Sequence, residues 1–192
     1  MQTRTLSLLL IAAWVLLAPS AAGAKSKPAA LKRPSYAVVQ MQLQPIAYRL
    51  AANARRIDAI RADLQVLIQR REAGAGPALD GESTRHTQQV GQALAEISLR
   101  TEQQVELMEL APLIEIESKH DFFMRRLDRL YLVREIGRAI LAEIGAHVAK
   151  IQDNAALSLI ERAQTYITGN LEQFDSAIKT LTALEPSMRA GD

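Results

Sequence analysis

Cysteine is absent from all 192 residues. Its absence excludes disulfide frameworks, thiolate metal sites, c-type haem attachment, cysteine nucleophiles and a lipid-modified cysteine. Nine Gly and seven Pro are too few for a collagen-like or low-complexity chain, and aromatic residues make up only 4%. Charge of neither sign dominates: the formal net charge is +2, while 48% of residues are hydrophobic. A chain with that much apolar mass and so little net charge is not disordered throughout. Its length fits one domain with a tail.

The longest apolar run lies at the start. Arg4 precedes Leu6–Leu17, Pro19 and Ser20 break the run, and Ala22-Gly23-Ala24 places small residues at a cleavage site. This order is that of a secretory signal peptide spanning residues 1–24. The run falls short of the roughly 20 apolar residues that cross a bilayer. No later stretch reaches that length without charges, so no transmembrane anchor is expected in the mature chain. Exported eukaryotic domains of this size tend to carry disulfides or glycans. Here there is no Cys, and Asn53, Asn154 and Asn170 all lack a following glycosylation signal. A periplasmic or secreted bacterial protein is therefore the expectation.

Residues 25–34 carry Lys25, Lys27, Lys32 and Arg33 with no acid, a basic and flexible tail. Acid is in excess over the remainder, so the high isoelectric point marks no basic face and no nucleic-acid partner is expected.

From residue 35 to 186 the apolar spacing is helical. Tyr36, Val39, Leu43, Ile46, Leu50, Asn53, Ile57, Ile60, Leu64 and Leu67 recur at steps of three and four, keeping one stripe toward a partner helix. Val39–Gln44 also alternates as a strand would, but the stripe holds its phase across Pro45, which predicts one helix, kinked there, ending near Glu72. Ala73–Gly81 reads as a loop. A second helix begins near Glu82 with Val90, Leu94, Ile97, Thr101, Met108 and Ala111 on its seam, and Pro112 stops it. A third, restarting near Ser118 and Asp121, carries Phe123, Leu127, Leu130, Leu141, Ile144, Val148 and Ile151. Asp153-Asn154 caps a fourth with Leu157, Ile160, Ile167, Leu171, Phe174, Ile178 and Leu181. A bend is expected at Gly169-Asn170, a stop at Glu185-Pro186, and a disordered end over 187–192.

Helices of this length are unstable alone and must bury their stripes. Short connections lay neighbours antiparallel. The fold expected is all-α, an up-and-down antiparallel four-helix bundle with long helices whose formal charges alternate in sign around the bundle. A three-four repeat closes equally well within one chain or between copies, so a homo-oligomer stays open.

Site chemistry is thin. Glu117 and His120 have the Glu-x-x-His spacing of carboxylate-bridged metal bundles, but that site needs two such pairs and two more carboxylates. Glu143 and His147 share a face of the third helix. No serine lies in a nucleophile elbow, and Ala73–Gly76 lacks the Lys-Ser/Thr of a phosphate-binding loop. Asp121 with Asp128, and Glu106 with Glu109, are spacings that solvated helix faces produce routinely. Arg125, Arg126, Arg129, Arg134 and Arg138 form a guanidinium ridge suited to carboxylates, with Asp121, Asp128 and Glu135 near enough to neutralise it. Gly137 and Gly145 offer close helix approach, and Gln40, Gln42, Gln44, Gln88, Gln89, Gln92, Gln103 and Gln104 suit polar packing faces.

These features predict no enzyme, no catalytic residue and no metal or cofactor. The expectation is a non-catalytic scaffold, adaptor or accessory subunit with a protein partner in the cell envelope. The alternatives are a metal- or small-ligand-binding bundle and a chaperone-like or membrane-surface protein.

Overall fold

The computed structural model describes residues 36–76, 80–110 and 119–189. Four helices account for nearly all of them: α1 (Tyr36–Glu72), α2 (Gly81–Leu110), α3 (Lys119–Val148) and α4 (Asn154–Arg189). No strand occurs among the described residues. The expected signal peptide, the basic tail, the Pro112 stop and the Ser118 restart lie outside them.

Each helix ends for a local reason. At the end of α1 the carbonyls of Gln69, Arg70 and Arg71 accept from Ala73, Ala75 and Gly74 at 2.9–3.0 Å, a closure that needs left-handed backbone. Gly74 (φ 82°) and Gly76 (φ 106°) supply it. Asp80 caps α2, its Oδ1 accepting from Ser83 N at 2.5 Å. Asp153 caps α4, accepting from the N–H groups of Ala155 and Ala156 at 2.8 and 3.0 Å.

Pro45 lies within α1. The carbonyl its ring deprives of a donor belongs to Met41, and both residues are exposed, so water can serve that carbonyl. The same reasoning corrects the expected stop at Glu185-Pro186. Pro186 is exposed one turn before the end of α4, and the helix runs on through it to Arg189. Residues 187–189 are therefore helical, and 190–192 lie outside the described set. Gly169 and Asn170 lie inside α4 without ending it.

Adjacent helices are antiparallel. As α1 advances from Asn53 through Arg56 to Arg71, its partners step back from Gly169 through Tyr166 on α4 to Asp153, the residue just before α4. The helix pairs α1–α2, α1–α4, α2–α3 and α3–α4 pack around the bundle, with a minor α2–α4 contact across it. The order is that of the predicted four-helix bundle.

The core divides along its length. One cluster lies toward the end where α1 joins α2 and α3 joins α4, and includes Ile57, Ile60, Leu94, Ile144, Ile160 and Ile167. The other lies toward the opposite end and includes Leu50, Met108, Leu127, Leu130, Phe174 and Leu181. Between them the α2 and α4 seams turn polar, with buried Ser98, Thr101 and Asn170. Ser98 donates to the Ala54 carbonyl at 3.0 Å and Thr101 to that of Ile97 at 2.8 Å. Asn170 reaches Thr101 Oγ1 only at 3.5 Å, and its Oδ1 has no hydrogen-bond partner. At the same level Gly137 meets α4 closely: a Cβ there would stand 2.9 Å from a Leu171 methyl. Gly145, expected to play the same part, is exposed with open space beside its Cα.

Candidate functional site

The connected end of the bundle holds a dense set of polar contacts between helices. Arg71, near the end of α1, donates through Nε to Asp153 Oδ2 at 2.9 Å and through Nη1 to the Ala75 carbonyl at 3.1 Å. The Asp153 side chain is only 4% exposed. Burial pushes its carboxyl up. The N–H of Ala156, the Arg71 guanidinium and the N–H of Ala155 together outweigh that and hold it below the usual carboxylate range. One carboxylate thus caps α4 and ties α4 to α1. On the neighbouring pair, Gln152 N lies 3.3 Å from Ser83 Oγ, linking the α3–α4 connection to the first turn of α2.

Beside this link two histidines meet across α2 and α3. His86 Nδ1 and His147 Nδ1 are 3.0 Å apart, with ring centroids separated by 5.1 Å and planes tilted by 31°. Each ring turns its outer nitrogen to a carboxylate four residues earlier on its own helix. His86 Nε2 lies 3.5 Å from Glu82 and His147 Nε2 lies 3.8 Å from Glu143. The imidazoles are largely buried, 11% and 18% exposed, and both glutamates are exposed. The result is a chain of four groups, Glu82, His86, His147 and Glu143, running across the helix boundary.

Sequence spacing found half of this chain, Glu143 with His147. His86 was missed although it stands four residues before Val90 on the α2 seam. Of the Glu117–His120 pair, Glu117 lies outside the described residues, and His120 is in the first turn of α3, with its side chain outside them. Among the described residues no three His, Asp or Glu side chains gather around a point that could hold a metal ion.

The arginine ridge is dispersed by its neighbours. Arg126 is buried and donates to the carbonyl of Leu107 near the end of α2. Arg134 donates to Asp175 on α4 at 2.9 Å and to Glu135 at 2.7 Å, and lies 5.0 Å from the centre of the Tyr131 ring. Asp175 foremost, then Glu135, raises its guanidinium above the ordinary arginine range. Arg138 binds Glu135 at 3.0 Å. Arg125 and Arg129 remain on the solvent side.

Two outer features are left over from packing. Met41 and Tyr48 stand 67% and 78% exposed, and Leu99 and Leu132 are also exposed. An open groove of about 440 Å³ between α1 and α2 is lined by Gln65, Gln69, Thr87, Gln88, Gly91 and Gln92, among others. No helix among the described residues is long and apolar enough to cross a membrane. Comparison with protein-family models, curated proteins and solved structures finds no match for the chain.

Proposed function

We propose that this protein is an exported, non-catalytic scaffold or adaptor of a bacterial envelope that offers outer helix faces to a protein partner. The observation that carries the reading is the pair Met41 and Tyr48. They lie seven residues apart, two turns along one face of α1, and both are exposed while the core beneath that helix is filled by Leu43, Ala47 and Leu50. A folded core has no use for them, and a tyrosine combines apolar area with a polar tip, the profile of an interface anchor. The amide-lined groove further along α1 supports the reading, since side-chain amides both donate and accept. Export rests on the Leu6–Leu17 run and the Ala22-Gly23-Ala24 site.

The test places a photo-crosslinking amino acid at position 48 of the full chain in its host, with position 58 as the comparison. Asp58 is exposed on the same helix. The reading expects one adduct of discrete mass from position 48, recovered with the envelope fraction, and none from position 58. An adduct at twice the chain mass identifies the partner as a second copy. Equal labelling from both positions, or a chain that keeps its leader in the cytoplasm, overturns the reading.

A further inference from the structure

The two histidines at the connected end meet through nitrogen atoms that their other contacts leave bare. Each ring turns Nε2 to a carboxylate, Glu82 for His86 and Glu143 for His147. A carboxylate beside one ring nitrogen holds the proton there and leaves the other nitrogen as a lone-pair acceptor. Here both of those acceptors are Nδ1, and they stand 3.0 Å apart. Two lone pairs at that distance repel. An N–H···N bond between the rings relieves them only if one ring moves its proton to Nδ1 and sets a bare Nε2 against its own glutamate. A metal cation shared by both nitrogens relieves them with each proton left where its carboxylate holds it.

The spacing selects the cation. A histidine nitrogen binds a divalent transition-metal ion at about 2.0–2.1 Å. Two such bonds with their nitrogen ends 3.0 Å apart enclose an angle of about 91–97° at the metal. That is the angle between neighbouring ligands of a square-planar or octahedral ion, well short of the tetrahedral angle that Zn2+ adopts. Nitrogen donors in a tetragonal arrangement suit Cu2+ and Ni2+. The surroundings agree. A carboxylate behind each metal-bound histidine is the usual outer shell of such a site, where it orients the ring and makes it a better donor. Glu82 and Glu143 also bring two negative charges to offset a divalent ion.

We infer that His86 and His147 form a two-nitrogen clamp for Cu2+ or Ni2+, stapling the start of α2 to the end of α3. Asp153, another carboxylate at this end, is engaged with Arg71 and the first turn of α4. Among the described residues no third His, Asp or Glu joins the pair. The remaining positions on the ion fall to water, which the residual exposure of both rings admits. Binding is therefore weaker than in a cage of three or four protein donors, and reversible. At this end α2 begins and α3 ends, and the chain connects the two helices only at their other ends. The ion adds a tie where the chain provides none. The clamp is independent of the face at Met41 and Tyr48, which lies over the opposite cluster of the core.

The untagged full chain at pH 7.5 tests this with the metals alone. Titration calorimetry should find one Ni2+ per chain. Binding should be lost in His86→Asn and in His147→Asn, with helicity confirming that each folds, and should be unchanged in His120→Ala, the third histidine of the chain. Glu82→Gln and Glu143→Gln should each weaken it by about tenfold, the low end for an outer-shell carboxylate because both are exposed. With Ni2+ at about a hundredfold over its dissociation constant, the thermal midpoint of the wild type should rise by about 5–10 °C. Paramagnetic resonance of the wild type with one equivalent of Cu2+ should show an axial signal coupled to two imidazole nitrogens, a readout independent of any variant's ability to fold. Three outcomes overturn the clamp: no saturable uptake of Ni2+ by the wild type at millimolar concentration, uptake that survives in both folded asparagine variants, or a copper signal coupled to fewer than two imidazoles. The contact is then an ordinary hydrogen bond between rings.

Discussion

The connected half of the bundle, where α1 joins α2 and α3 joins α4, and the half toward the start of α1 and the end of α4 are packed with different side chains. Eight buried residues in the connected half are isoleucine and two are leucine, whereas the other half buries five leucines, one isoleucine, a methionine and a phenylalanine. Isoleucine is held to nearly one χ1 rotamer in a helix, so it fills a fixed shape. Leucine, methionine and phenylalanine accommodate more. Polar contacts between helices occur in both halves: the Arg71–Asp153 pair, the Ser83–Gln152 link and the histidine pair in the connected half, and Arg126 to the Leu107 carbonyl and Arg134 to Asp175 in the other. The comparison teaches that the two halves differ in how tightly side-chain shape is fixed, by β-branched packing in the connected half and by more adaptable side chains in the other, while both tie their helices together with polar contacts.

The largest test attacks the half toward the start of α1. Phe174 is fully buried in it, and Phe174→Ala is expected to cost about 3–5 kcal/mol of unfolding free energy. In a chemical denaturation the slope should stay at its wild-type value if the halves unfold together. A shallower slope or a second transition would show that they part at the polar layer.

Next comes the buried carboxylate of the connected half. Asp153→Ala removes a helix cap and leaves Arg71 without its partner, an expected loss of about 2–4 kcal/mol. Asp153→Asn retains an N-cap acceptor and should lose less. Because the folded state holds this carboxyl below its unfolded range, the stabilisation is present above the unfolded value. It is lost as pH falls through the folded one. Acid denaturation curves of Asp153→Asn should accordingly be flatter than wild type below about pH 4.

A smaller effect is expected in the first connection. Gly76 adopts φ 106°, and a Cβ there would run into the Arg71 guanidinium. Gly76→Ala should cost about 1–2 kcal/mol. Gly74→Ala, equally left-handed but facing open space, should cost about 1 kcal/mol. Equal losses would mean that Arg71 yields without weakening its pairing to Asp153.

The smallest expected change has the opposite sign. Asn170 is 1% exposed with an unpartnered oxygen, so Asn170→Leu should add about 1 kcal/mol by joining the two apolar clusters. Thermal denaturation reads it directly. A loss would show that the polar layer contributes to stability as it stands.

The helices and their seams were legible because long apolar stripes of constant phase have no other use. Leu50, Ile57, Leu94, Ile144, Ile160 and Phe174 all sit where that spacing puts them, and Asp153 caps α4 as its residue type suggests. The small and polar members of the core were not legible. Ala54, Ala163, Ser98 and Asn170 are buried because helices cross there, and an apolar pattern does not register such residues. The histidine pair was half legible for a related reason. Spacing along one helix joins Glu143 to His147, whereas His86 belongs to another helix and meets them only through the register of α2 on α3. The departure at Pro186 arose because a proline's cost depends on whether the orphaned carbonyl is wet, which residue type alone does not reveal.

Gly137 sits near the middle of α3, against Leu171. Two rods touching at their midpoints set their crossing by the thickness of whatever lies between them, and here one of the rods has no side chain at that place. A methyl group at position 137 would press first on the far end of the Leu171 side chain, so that side chain, and not the rod, is what has to give way.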